Sequence, residues 1–172
     1  VRAWGRGPRR ILAGAGLVTA LALCGTGAWS YAQARDDDDL AYARSRDAAL
    51  ADGRAAVVTL TTLDASTKTR ARSGITTWKT VTTGPLRTQL GRLAPAAGAS
   101  SRGVVTDAAI TALDDRAGTA KLIATVRVET MPKNAKSPSA DRKRLEALLA
   151  RSSDGAWRVK ALNAVPVTEV SG

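Results

Sequence analysis

Three carboxylates stand where a general base would be useful: Asp64 at the end of a helical stretch, and Asp107 and Glu129 on two strand-like stretches. A base that removes a proton beside a carbonyl also needs a hydrogen-bond donor to hold the developing oxyanion. The donors available are Trp78, Trp157, threonine hydroxyls and backbone N–H groups. Both tyrosines, Tyr31 and Tyr42, lie near an apolar run at the start of the chain, and there is no histidine. The commonest base, metal ligand and pH switch is therefore missing. A carboxylate on the polar side of a strand is ordinarily a solvated residue. No catalytic set is expected, and the chain reads as a non-enzyme.

Metal and cofactor chemistry find no better footing. Cys24 is the only cysteine and lies inside the apolar run, so no intrachain disulfide or thiolate metal site can form. The acidic run Asp36–Asp39 lacks the spaced ligands and turn glycine of a calcium loop, and reads as a solvated spacer. No glycine-rich phosphate cradle is present. No cofactor is expected.

What remains is charge. Lysine and arginine total 26 against 15 acidic residues, a net +11. Part of the excess gathers in "KTRAR" and "KNAK…DRKR": Lys68, Arg70, Arg72, Lys133, Lys136, Arg142, Lys143 and Arg144, read as two basic loops. Such patches bind polyanions by releasing counterions. No aromatic platform interleaves with them, so nucleic acid is not the expected partner. Anionic lipid head groups or acidic protein partners suit them better, and a plain solvated surface remains an equal reading.

The elements that must position these residues begin with the apolar run. Arg2, Arg6, Arg9 and Arg10 precede an uncharged stretch, residues 11–33, with Trp29 and Tyr31 at its far end. Its length is enough to cross the ~30 Å hydrocarbon layer as a helix. Basic residues before and aspartates after predict a cytoplasmic N-terminus and an outer C-terminal domain. The expected organisation is a cytoplasmic basic tail (1–10), a transmembrane helix (11–33), an acidic spacer (34–39) and an extracytoplasmic domain (40–172). A leader cut after Ala34 is the competing reading, since Ala32 and Ala34 have the small-residue spacing of a cleavage site. Gly16, Ala20, Cys24 and Ala28 recur every four residues and are a candidate helix-packing face within the membrane.

Beyond the spacer the spacing predicts a helix over Leu40–Leu63, with Ala49, Gly53, Ala56, Leu60 and Leu63 on one face. "DASTKTRARSG" reads as a polar loop, followed by a short helical stretch around Trp78 and a helix restarted at Pro85. "APAAGASSRG" reads as a loop. The period then changes to two: strands are expected over Val104–Leu113, Ala120–Thr130, Leu145–Ala150 and Ala156–Val165. Gly118 and Asp154-Gly155 mark hairpin turns, and "MPKNAKSPSADRKR" reads as a long basic loop. The result is an α+β fold, helices packed on one face of a curved antiparallel sheet of about four strands.

The order of a basic tail, a single span, "AVVTLTTLD", "TTGPLRTQL", paired strands and "DGAWRVKALNAV" resembles the actinobacterial Mce-associated membrane proteins. The resemblance covers nearly the whole chain. It implies an outer domain shaped as a SnoaL-like cone and an accessory or assembly role in an Mce-type lipid or sterol importer of the cell envelope. Its partners would then be the membrane and proteins of that transporter. Where the family often carries an aromatic after Gly-Pro, this chain has Leu86, which argues against a cavity lined as in aromatic-rich relatives. Two alternatives stay open: an assembly component of a conjugation or type IV secretion-like apparatus, and a secreted SnoaL-like small-molecule binder or enzyme.

Overall fold

Small residues recurring along the first helix let it lie close against a sheet, and that approach organises the molecule. The computed structural model describes residues 37–133, 135 and 137–166. The apolar run 11–33, its small-residue face and Lys136 lie outside the described residues. Among the described residues no helix is long and apolar enough to cross a membrane. The chain divides into two units, Val1–Ala43 and Arg44–Gly172. Of the first, residues 37–43 are described; they are helical and exposed. Asp37, Asp38 and Asp39 are thus helical, where a loose spacer was expected.

In the second unit, helix α1 (helical over residues 37–61) buries Ala49, Gly53, Ala56 and Val57 at intervals of three and four. Its partner is a meander of β1 (Ser100–Asp114), β2 (Thr119–Met131), β3 (Ser139–Arg151) and β4 (Trp157–Ala164). The strands pair antiparallel in sequence order. Alternation sends Leu122, Ala124 and Val126 of β2 and Leu145, Ala147 and Leu149 of β3 toward the helices. The largest fully buried side chains are Leu122, Leu149, Val57, Val126, Val159 and Thr82, a small aliphatic core without a buried Phe. Positive φ is required at Gly118 (60°) and Gly155 (84°), the two hairpin corners where the turn signals stand.

Two features of β1 shape its pairing. Its register slips between Val105 and Asp107 and again between Ile110 and Ala112, leaving Thr106 and Thr111 as bulged residues. Each bulge is tied down by its own hydroxyl, Thr106 Oγ1 donating to Thr125 O (3.1 Å) and Thr111 Oγ1 to Lys121 O (3.3 Å). Bulges bend a strand and tighten its twist, which curves the sheet under the helices.

Three loop expectations are corrected. "DASTKTRARSG" is mostly helix: α2 runs Lys68–Thr80, capped by Thr67, whose hydroxyl accepts from Arg70 N at 3.2 Å. Only Ala71 of α2 is buried, so one apolar position was too little to reveal a helix held by its cap and by packing. The basic loop before Leu145 is also shorter than expected. Ser139–Arg144 belongs to β3, paired with Thr125–Thr130 of β2, and every one of these six β3 residues is exposed. With both faces in water, no apolar alternation marks that part of the strand. Ser100–Gly103, expected in a loop, opens β1, drawn into pairing with Val128–Met131. The helix restarted at Pro85 is α3 (Gly84–Gly91), with Leu90 buried.

Candidate functional site

The end of α1 is where the candidate carboxylates come closest to forming a site. The helix finishes at residue 61, and Leu63 then pairs with Ser101 through two backbone hydrogen bonds of 2.8 Å. Asp64 follows directly. On one side of it a groove of about 520 Å³ runs between α1 and α2, edged by Thr59, Ser73, Thr77, Trp78 and Arg70. On the other, a groove of about 540 Å³ is edged by Asp64, Ser100, Arg102, Glu129, Met131 and Pro138. Asp64 and Glu129 therefore line one groove. Asp107 does not join them; it is exposed on the outer face of the sheet, opposite Thr125.

The groups are already committed. Asp64 accepts from Ser66 N (3.0 Å), Ser66 Oγ (2.6 Å) and Arg70 Nη1 (2.6 Å). The Ser66 hydroxyl and amide, then the Arg70 guanidinium, hold its carboxyl well below the usual carboxylate range. A carboxylate so stabilised is a poor proton acceptor at neutral pH. Glu129 lies 3.4 Å from Arg127 Nε. Trp78, the nearest candidate donor, gives its indole N–H to Thr59 O (2.7 Å) and Thr62 O (3.0 Å). Thr59 O lies in the last turn of α1, where it also accepts from Thr62 N at 3.2 Å, and Thr62 follows the helix directly, so Trp78 caps its C-terminal end. Replacing Trp78 by phenylalanine keeps the ring and removes the cap. A loss of about 1 kcal/mol is expected in urea unfolding, with the secondary structure unchanged.

The other candidate donor, Trp157, is buried in the core, its ring 4.8 Å beneath the Arg151 guanidinium. It belongs to a structural clamp that sequence reading missed. Ser45 Oγ donates to Asp115 Oδ1 at 2.5 Å, Arg151 donates to both, and Asp52 Oδ2 accepts from Trp157 N at 2.9 Å. The clamp ties the first turns of α1 in this unit to the β1–β2 corner and to the start of β4. No local pattern marks it, because its members lie 70 and 105 positions apart.

Asp64, Asp115 and Asp154 all have lowered pKa values: Asp64 through Ser66 and Arg70, Asp115 through Ser45 and Arg151, Asp154 through Arg158 and the Ala156 amide. In the unfolded chain they titrate near ~3.9. Their stabilisation is thus complete above that pH and is lost as pH falls through the folded values. Urea midpoints are expected to drop below about pH 4, and Asp64→Asn/Asp115→Asn to flatten that acid limb by lowering the neutral plateau while changing the most acidic midpoints least.

Between α1 and the sheet the packing is close. A Cβ placed on Gly53 would lie 2.7 Å from Leu122 Cδ1 and 3.0 Å from Leu149 Cδ1, so helix backbone rests directly on the core leucines. Among the described residues no cluster of acidic or sulfur ligands is arranged to hold a metal ion.

The expected basic surface is divided among elements. Lys68, Arg70 and Arg72 are exposed on α2, with Arg70 paired to Asp64. Lys133 is exposed in the β2–β3 turn. Arg142 and Arg144 project from the outer face of β3, while Lys143 points to the opposite face, 3.6 Å from Asp141. Arg102 and Arg127, absent from the expected set, share the outer face with Arg142 and Arg144. Their shared face is legible only once the strands are paired.

No protein-family model and no curated protein matches the chain. The solved structures similar to it include the following two. An "Ntf2 like protein involved in plasmid conjugation" is 10% identical, with 70% of this chain and 49% of that one aligned at a TM-score of 0.47. The chain thus spans about half of that protein's length. A structure from Catenulispora acidiphila is 14% identical, with 80% of this chain and 94% of that one aligned at a TM-score of 0.39.

Proposed function

We propose that this chain is a non-enzymatic assembly module of the cell envelope. In this reading the run 11–33 anchors it with the basic tail in the cytoplasm, and the domain that follows works outside as a SnoaL- or NTF2-like binding domain. The machinery it serves is an Mce-type lipid or sterol importer, the role implied by the sequence resemblance. The observation that carries the non-enzymatic part is the filled interior: α1 lies on Leu122 and Leu149 through Gly53, where a cone-shaped enzyme needs room for substrate. The spent groups at the end of α1 support it too, with Asp64 held ionised and the Trp78 N–H committed to helix carbonyls.

The test is intact mass and carbonate-wash fractionation of the full chain from its native membranes, followed by identification of what co-purifies. A full-length chain in the washed pellet, eluting with permease subunits, is expected. A soluble chain beginning at Arg35 would overturn the anchor. Co-elution with conjugation components would move the module to that machinery.

A further inference from the structure

The outer face of the sheet carries a charge arrangement that folding alone does not favour. Arg127 of β2 and Arg142 of β3 are direct cross-strand partners, and like charges in that position repel. Arg144, two residues along β3 on the same face, stands opposite Thr125. Arg102 of β1 stands opposite Glu129. All four arginines are exposed. Of these four, Arg127 alone has a carboxylate of the described residues within 4.0 Å, that of Glu129; Arg102, Arg142 and Arg144 have none among them.

The position of the patch narrows what it meets. It lies at the end of the sheet where Gly103 meets Thr61, whereas Ser45 meets Asp115 at the other end. Along α1 these ends are roughly 24 Å apart. The chain enters this unit at Arg44, at the end remote from the arginines. No aromatic residue occurs between Trp78 and Trp157, which leaves no stacking platform for bases. Glu129 and Asp107, the latter opposite Thr125, share the outer face with the arginines, and Asp141 lies on the other face of the same hairpin, which disfavours a uniform phosphate polyanion. Discrete carboxylates suit the patch better: guanidinium groups grip carboxylates in a bidentate fork, and Arg142 and Arg144 repeat at roughly 7 Å, the spacing of alternate side chains on an extended strand.

We propose that Arg102, Arg127, Arg142 and Arg144 form the docking surface for an extended acidic segment of a partner protein, one bearing Glu or Asp at alternate positions. This deepens the assembly reading and rests on it, since it names the surface through which the module would engage its machinery.

The test measures fluorescence anisotropy of a labelled peptide of alternating Glu and Thr, titrated with the full chain in mild detergent at low salt. The Gln/Thr peptide, anionic phosphatidylglycerol vesicles and duplex DNA are run alongside. Arg127→Glu/Arg142→Glu/Arg144→Glu is expected to weaken peptide binding by roughly ten-fold or more, and salt to weaken it in the native chain. Arg44→Glu/Arg46→Glu/Arg54→Glu, the same change in net charge on α1, is expected to leave it nearly intact. Arg142→Thr supplies a readout free of misfolding: relieving the repulsion should raise the thermal midpoint while weakening binding. Equal binding by the native chain and the sheet variant would overturn the proposal, as would equal binding of the Gln/Thr peptide or tighter binding to vesicles or DNA. Membrane fractionation tests the assembly reading separately, so failure of one is distinguishable from failure of the other.

Discussion

Gly103→Val is expected to cost about 3 kcal/mol and to release the end of α1 from the sheet. Gly103 is buried on β1 where the helix comes to its end. A Cβ there would lie 1.8 Å from Thr61 Oγ1 and 2.5 Å from Thr61 Cβ, with the Thr61 backbone carbon at 3.4 Å. Rotating the threonine clears its oxygen but not its Cβ, so backbone must move. The contact also carries polar bonds: the Gly103 amide donates to Thr62 Oγ1 at 3.1 Å, and Leu63 pairs with Ser101 next to it. Displacing the helix end would break them and uncouple Trp78 from the carbonyls it caps. Urea unfolding followed by tryptophan fluorescence should show a lower midpoint and a red-shifted native signal. A Gly103→Val chain as stable as the native one would mean that the end of α1 does not dock on β1.

Leu122→Ala is expected to cost about 2–5 kcal/mol, the range for truncating a buried leucine into a cavity. Leu122 and Leu149 have 0% exposure, and both touch the space above Gly53. The result bears on function as well as stability. If the interior were a ligand site kept loosely filled, the truncation would be nearly neutral and would improve binding of sterols or other flat apolar molecules. If it is a packed core, the chain loses stability and gains no such ligand. The second outcome is expected, measured as the unfolding midpoint with and without a sterol.

The parts of this fold that could be read in advance are those whose neighbours impose a period. Ala49, Gly53 and Ala56 mark the buried side of α1 because the sheet covers that side alone. Leu122, Ala124 and Val126 alternate because β2 is covered on one face and wet on the other. Where cover stops, the pattern stops with it. Arg142, Lys143 and Arg144 sit on a strand that water reaches from both sides, so nothing in their order distinguishes strand from loop. Residues 68–74 form a helix with one buried side chain, Ala71, and hold it through the Thr67 cap rather than an apolar stripe. The candidate site was legible in part for the same reason. Asp64 and Glu129 were visible as isolated carboxylates, but their shared groove depends on Leu63 pairing with Ser101. The arginine face depends on register, which brings Arg127 opposite Arg142 from 15 positions away.

The two threonine bulges of β1 bear on how the molecule meets others of its kind. A long outer strand with few charges along Val104–Leu113 is the sort of edge onto which a second strand can zip, and repeated addition of that sort builds fibrils. Offsets at Thr106 and Thr111 break the regular row of free amides and carbonyls before such a template grows long enough to propagate. The bulges thereby work against edge-to-edge addition of a second copy along Thr106–Thr111.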